Sequence, residues 1–89
     1  MRLDKYLKVS RLVKRRTVAS DLCKGGHVYV NKKSAKASAE VTIGDTLTIR
    51  FGNRIIAVTV LEVPNKPVPA QLADSLYKII SEETIQSEL

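Results

Sequence analysis

The chain has 89 residues, 44% of them hydrophobic, and a formal net charge of +6. These values predict one domain with a single modest core, and they argue against wholesale disorder and against a large enzymatic cleft. Residues 1–36 hold eleven lysines and arginines against two aspartates, a net charge of +9, whereas residues 37–89 have a net charge of −3. A basic half of this kind attracts polyphosphate, because each neutralised phosphate releases condensed counterions. A solvated basic face without a partner is the alternative.

The residues that could support catalysis or metal binding are few. Cys23 is the only cysteine and His27 the only histidine, so no cluster has the spacing of a metal site. The two have i, i+4 spacing, but Gly25 and Gly26 interrupt any helix between them, which disfavours a nucleophilic Cys–His pair. We therefore expect no enzyme, no metal and no cofactor. A lone cysteine, no signal-peptide pattern and no long apolar run predict a cytoplasmic protein without a membrane partner.

Residues 2–9 predict a short amphipathic helix. Leu3 and Leu7 lie four positions apart, and Tyr6 lies beside them, so these three side chains share an apolar face. Arg2 and Lys5 lie on a different side of the helix. The predicted helix is therefore apolar toward a core and basic toward solvent.

A second helix is predicted from an N-cap at Thr17 to about Lys24. Gly25 and Gly26 then provide the stop, because glycine accepts the left-handed conformation at a helix C-terminus. The side chains predicted to face inward are Val18, Ala19 and Leu22.

Hydrophobic residues follow a period of two in the second half, which predicts strands. Residues 27–31 and 46–51 alternate between apolar and polar side chains. Gly52-Asn53 predicts a two-residue hairpin turn into a strand over residues 55–63, expected to be the longest. Residues 35–38 are small and polar and predict an irregular crossing.

The C-terminal part is predicted to be helical. Three prolines within residues 64–70 mark a linker. Leu72, Leu76, Ile79 and Ile80 then follow with helical spacing, which predicts an acidic amphipathic helix that completes the core or meets a protein partner. The predicted division is a domain over residues 1–63, a linker over 64–70, a C-terminal helix over 71–83 and a disordered tail over 84–89.

The basic side chains of the first half predict an RNA-binding surface, if the second helix packs against the strand that follows it. Arginine can form two hydrogen bonds to a phosphate, and lysine acts as a point charge. The chain has no tryptophan and few other aromatic residues, which disfavours a sequence-specific single-strand binder and favours a structured RNA read by shape. The candidate residues are Arg2, Lys5, Arg11, Lys14, Arg15, Arg16, Lys32, Lys33 and Lys36.

An ordered set of short motifs spans residues 1–50. Its members are Arg2-Leu3-Asp4-Lys5-Tyr6-Leu7, Arg11, Arg16-Thr17 with Ala19, Gly26-His27-Val28-Tyr29-Val30-Asn31, Ala37-Ser38, Val41 and Gly44-Asp45-Thr46-Leu47. The set resembles the S-four RNA-binding domain, named after a ribosomal protein of the small subunit. The resemblance implies an α+β fold in which two short helices pack on a small bent antiparallel sheet and bind rRNA or tRNA. Lys32 departs from the pattern, because the family usually has glycine there.

The match can be narrowed on three further segments: residues 14–17, residues 35–38 and the acidic stretch after Tyr77. They resemble the RqcP, or YabO, family of bacterial ribosome-associated quality control factors. The resemblance implies binding to large ribosomal subunits that carry peptidyl-tRNA, with rRNA and tRNA contacts, and support of alanine tailing of stalled chains together with RqcH. It further implies RNA contacts at the starts of the two helices, by Arg2, Lys5, Arg15, Arg16 and Thr17. We expect a monomer.

Three alternatives remain open at this point. The first is a heat-shock-type factor that recycles dissociated large subunits bearing peptidyl-tRNA, and the second is a general rRNA-binding ribosomal protein. The third is the recognition domain of an RNA-modifying enzyme, for which 89 residues are expected to leave no room for a catalytic half.

Overall fold

The computed structural model describes residues 1–84. Two α-helices precede a five-stranded antiparallel sheet with the strand order β2-β1-β3-β4-β5. The elements are α1 (Leu3–Val9), α2 (Arg16–Lys24), β1 (Val28–Val30), β2 (Lys33–Ser34), β3 (Thr46–Phe51), β4 (Arg54–Val60), a 3-10 helix (Ala70–Leu76) and β5 (Tyr77–Thr84). The predicted α+β class, with two short helices against an antiparallel sheet, is confirmed. No helix within residues 1–84 is long and apolar enough to cross a membrane.

The core lies between the two helices and one face of the sheet. Tyr6 and Leu7 of α1 are fully buried, as are Leu47 and Ile49 of β3, which point to the same side because side chains alternate along a strand. Val58 of β4 pairs with Leu47 and is also fully buried. Burying one such aliphatic side chain contributes about 1.5–3 kcal/mol, so these layers hold the helices on the sheet.

Helix α1 is capped by backbone, not by a side chain. The N–H groups of Leu3 and Asp4 donate to the carbonyls of Ala39 and Ala37, at 2.8 and 3.1 Å. The first N–H groups of a helix lack acceptors within the helix. In α1, the carbonyl groups of residues 37 and 39 are the acceptors. The predicted irregular crossing thus fixes where the basic start of α1 lies.

Two predictions for α2 are wrong. Its N-cap is Arg15, in extended conformation, and Thr17 lies inside the first turn. The backbone N–H of Ala19 already donates to the carbonyl of Arg15, so the N-cap lies two residues before Thr17, the residue with capping chemistry. Val18 is 42% exposed instead of inward-facing, while Ala19 is buried and Leu22 is half-buried. The predicted stop is confirmed, since Gly25 is the C-cap and Gly26 has φ of 77°.

The turn between β1 and β2 is a tight two-residue turn. Val30 pairs with Lys33, so Asn31 and Lys32 are the two turn residues, and both have positive φ, 51° and 73°. This combination defines a type I′ turn, for which Asn-Gly is the favoured sequence. Lys32 therefore holds a left-handed conformation that glycine would adopt at lower cost. The Gly52-Asn53 turn between β3 and β4 is confirmed.

The predicted C-terminal helix over residues 71–83 is wrong in its second half. Residues Ala70–Leu76 form a 3-10 helix, and Tyr77–Thr84 pair with β4 as the longest strand, one residue longer than β4 itself. Of the apolar side chains with helical spacing, Leu76 is buried, whereas Leu72, Ile79 and Ile80 are half-exposed or more. Without β5, the edge of β4 would expose unpaired backbone N–H and C=O groups. Pairing with residues 77–84 satisfies them, and this tertiary interaction outweighs the helical spacing of the side chains.

Residues 64–70 thus lie within the connection between β4 and β5, two strands of one sheet. The predicted domain boundaries stay a prediction. The predicted tail over 84–89 lies outside the described residues except for Thr84, which ends β5.

Candidate nucleic-acid interface

The candidate RNA-binding side chains are all exposed. Arg2 is the N-cap of α1, and Lys5 lies in that helix. The connection between the helices contributes Arg11, Lys14 and Arg15, and the first turn of α2 contributes Arg16 and Thr17. Lys32 lies in the β1–β2 turn, Lys33 in β2 and Lys36 in the segment after it.

A buried carboxylate joins the starts of the two helices. Asp4 is 4% exposed, and its Oδ1 and Oδ2 accept from Arg2 Nε at 3.2 Å and from Arg16 Nε at 3.4 Å. Its Oδ1 also accepts the backbone N–H of Lys5 at 2.8 Å. Asp4 therefore pairs with two arginines and satisfies a helix N–H at once. A carboxylate in the first turn of a helix is favoured by the helix dipole, and its bonds to two guanidinium groups are charge-assisted.

The pKa of Asp4 reflects this arrangement. Burial acts to raise the pKa of the carboxyl, but the hydrogen bonds from Arg16, Arg2 and the Lys5 N–H outweigh it and hold the pKa below its ordinary value of 3.8. The carboxylate is therefore charged near neutral pH, and it binds two guanidinium groups whose side chains are 53% and 50% exposed.

These arginines line a groove beside α1. Arg2, Lys5 and Arg16 form its cationic side, and residues 63–65 form much of the rest, around a volume of about 500 Å³. Three cations from two helices on one groove offer a site for the phosphates of a nucleic acid. Of the five residues that the sequence placed at the two helix starts, Arg2, Lys5 and Arg16 line this groove, whereas Arg15 and Thr17 do not.

A second groove of about 770 Å³, which Arg2 also lines, lies between α2 and residues 34–38. Lys24 and Lys36 supply two more cations there, and Ser20, Ser34 and Ser38 supply hydroxyl groups. The RNA-binding residues predicted from the sequence do not include Lys24, which the sequence pattern identifies only as the end of a helix. Its position one residue before the Gly25-Gly26 stop, beside the strand that follows, was the available signal.

The remaining candidates line neither of these two grooves. Lys32 and Lys33 lie on the β1–β2 hairpin. The side-chain amide of Asn31 connects this hairpin to the turn before β3 by hydrogen bonds. The amide of Asn31 donates to Asp45 Oδ1 at 3.0 Å and accepts the Thr46 N–H at 2.9 Å. Arg11 follows the C-cap of α1 with φ of 61°. These cations widen the basic surface without joining the Asp4 cluster.

Cys23 has the environment of a core residue. It is buried, and burial raises the pKa of its thiol to about 11, with a smaller contribution from Asp4. A thiol with a raised pKa is a poor nucleophile at neutral pH. The arrangement therefore gives no support to a nucleophilic role for Cys23.

Comparisons with known proteins identify the family of the chain. The family model of the S4 domain, the S-four domain named above, matches residues 1–47. The chain is 44% identical over the full length of both chains to the RQC P-site tRNA stabilizing factor of Streptococcus pneumoniae. It is 45% identical to the factor of that name from Bacillus subtilis, over 96% of this chain and 98% of the other.

A solved structure extends the agreement to three dimensions. The trimeric structure of Vibrio cholerae heat shock protein 15 superposes with a TM-score of 0.82 at 32% identity, covering 91% of this chain and 82% of the other. The chain therefore belongs to the S4 domain family and, within it, to the RqcP family, whose members are named RQC P-site tRNA stabilizing factors.

Proposed function

We propose that the chain is a non-enzymatic RNA-binding factor of ribosome-associated quality control that stabilises P-site tRNA on the large ribosomal subunit. The observation that carries the proposal is the pair Arg2 and Arg16, which the buried Asp4 holds while their side chains remain half-exposed. Two oriented guanidinium groups can each form paired hydrogen bonds with phosphates, which a mobile lysine cannot. The names of the full-length relatives support the same role.

The finer assignment has three parts. The α1–α2 surface contacts large-subunit rRNA and peptidyl-tRNA, the bound factor supports alanine tailing by RqcH, and it acts on the ribosome as a monomer. The first part is supported by the distribution of charge across the sheet. The cationic hairpin with Lys32 and Lys33 lies at one edge, whereas β5 with Glu82 and Glu83 lies at the other, away from the phosphates that the first edge attracts.

The test is co-sedimentation with large subunits that carry peptidyl-tRNA. Arg16→Ala is expected to abolish association while leaving the fold intact, because a charge-assisted hydrogen bond contributes about 1.5–3 kcal/mol. Arg16→Lys is expected to restore it only in part. Arg50→Ala, at an exposed arginine of β3, is the matched control and should bind normally. Normal co-sedimentation of a folded Arg16→Ala protein would contradict the assignment.

A heat-shock-type recycling factor is the second candidate, favoured by the superposition on heat shock protein 15. An alanine-tailing reaction reconstituted with RqcH separates the two candidates, because only the quality control factor should increase tail length. A general ribosomal protein would instead sediment with all ribosomes and not only with free large subunits that carry peptidyl-tRNA.

A further inference from the structure

An apolar groove lies beside the basic residues that connect the two helices. It lies between the α1–α2 connection, α2 and the end of β3, and has a volume of about 500 Å³. Leu12, Val13, Val18 and Phe51 form its apolar walls, and Lys14 and Arg15 form its cationic rim. This groove is separate from the two polar grooves beside Arg2, with which it shares no lining residue.

The apolar walls are incompletely covered within residues 1–84. Val18 is 42% exposed although it lies on a helix next to the buried Ala19, and Phe51 and Leu12 are half-buried at the border of the core. The cost of leaving this apolar surface in water is recovered when a ligand covers it. The aromatic ring of Phe51 provides a flat apolar surface on the sheet side of the groove.

The rim of the groove selects a negatively charged ligand. Lys14 and Arg15 are exposed, and neither takes part in an ion pair within residues 1–84. Arg15 also directly precedes Arg16 of the Asp4 cluster, so the rim is continuous with the surface to which RNA binding is assigned above. An apolar wall with a phosphate-binding rim fits a nucleotide, whose base is apolar on its faces and whose phosphates are anionic.

We propose that this groove takes one unstacked nucleobase of the bound RNA, with its flanking phosphates at Lys14 and Arg15. The base lies against Val18 and Phe51, in the manner in which proteins read bases that loops and bulges leave unstacked. The proposal rests on the proposed RNA-binding function and adds a base-level contact to it. A single base requires one apolar slot, so the scarcity of aromatic residues in the chain is no obstacle.

The experiment compares two RNA hairpins that differ by one unpaired adenosine in the stem. Wild type is expected to bind the bulged hairpin about 5- to 100-fold more tightly than the paired one, because stacking of one base on a protein contributes on that scale. Val18→Gln and Phe51→Leu should reduce this ratio toward one while the affinity for the paired hairpin is unchanged. Ile43→Gln, at an exposed apolar residue outside the groove, is the matched control and should keep the wild-type ratio.

A second measurement uses wild type alone, so it does not depend on the folding of a variant. 2-Aminopurine at the bulge should change its fluorescence on binding, and 4-thiouridine there should crosslink to residues of the groove. Equal affinity of wild type for both hairpins overturns the base site and leaves phosphate-driven RNA binding in place. The base site is also overturned if both variants keep the wild-type preference for the bulged hairpin. If those variants keep that preference but no longer support alanine tailing, the groove is assigned to a protein partner instead. Failure to bind either hairpin or large subunits overturns the proposed function as well.

Discussion

The hydroxyl of Tyr6 donates a hydrogen bond of 2.8 Å to the backbone carbonyl of Leu76, seventy residues further along the chain. Both residues are buried, and the same carbonyl also accepts the N–H groups of Leu61 and Glu62. Burial, with a smaller contribution from Tyr77, raises the pKa of Tyr6, so the hydroxyl remains a donor. One buried phenol therefore fastens α1 to the segment that leads into β5.

Tyr6→Phe removes this donor and keeps the ring. The free energy of unfolding is expected to fall by about 0.5–1.5 kcal/mol, the usual net contribution of one hydrogen bond, because the Leu76 carbonyl keeps two other donors. Chemical denaturation measures the change. Tyr29→Phe, at an exposed tyrosine of β1, is the control and should leave the midpoint unchanged. Equal effects of the two substitutions would show that the Tyr6 hydroxyl adds nothing to stability.

Lys32→Gly is expected to stabilise the protein by about 0.5–1 kcal/mol, because glycine adopts the left-handed conformation of this turn position without a steric penalty. The same change removes one cation, so RNA affinity should fall as stability rises. Lys33→Gly is the comparison, since Lys33 lies in β2 and glycine weakens a strand. A thermal melt of the two variants should show opposite shifts, and a lower melting temperature for Lys32→Gly would contradict the turn assignment.

Acid is expected to destabilise the fold through Asp4 and Asp45. Burial acts to raise both pKa values, but hydrogen bonds outweigh it, from Arg16 and Arg2 at Asp4 and from Thr42 and Asn31 at Asp45, so both pKa values lie below 3.8. A carboxyl with a lowered folded-state pKa stabilises the protein fully above its unfolded pKa of about 3.9, and this contribution is lost as the pH falls through the folded value.

The measurement is the urea midpoint between about pH 6 and pH 2, across the pKa range of carboxyl groups. Asp45→Asn should lower the midpoint at pH 6 and flatten its decline in acid. Asp74→Asn, at an exposed carboxyl of the 3-10 helix, should keep the wild-type decline. A wild-type decline in the Asp45→Asn variant would show that Asp45 does not contribute.

RNA binding is expected to depend steeply on salt. Residues 1–36 have a net charge of +9. If their surface neutralises several phosphates, affinity should fall by roughly two to four decades between about 50 and 200 mM salt. Filter binding to ribosomal RNA measures how steeply the affinity falls with salt. Lys24→Ala should make this dependence shallower if the groove between α2 and residues 34–38 binds the phosphate backbone of the RNA. A flat affinity over this range would reject the electrostatic interpretation.

Local signals in the sequence were sufficient to place two glycine-containing turns of the fold. The Gly25-Gly26 stop and the Gly52-Asn53 turn require backbone conformations that few other residues adopt, and both are where the sequence predicts them. The sequence also assigns the arginines at the two helix starts to one predicted RNA-binding surface. Their common partner Asp4 could not be assigned, because the position of Arg16 relative to α1 depends on tertiary packing.

The C-terminal part shows where local signals fail. Leu72, Leu76 and Ile79 have helical spacing, but the free edge of β4 lies nearby and pairs with residues 77–84 instead. The register shifts between Ala57 and Val58, so β5 carries a bulge at Ile80 that no spacing rule predicts. The prediction that Val18 faces inward is wrong for a related reason. How much of α2 the sheet covers depends on tertiary packing, and Val18 lies on a side that stays exposed.

The β4–β5 pairing has a consequence for the order in which the chain can fold during its own synthesis. A protein made from its N-terminus presents α1 and α2 long before residues 76–84 leave the ribosome, and until then Tyr6 lacks its acceptor and β4 has an unpaired edge. Contacts of such large sequence separation form late and slow the folding of a domain of this size. The basic helices thus emerge before the segment that fixes α1 and completes the sheet.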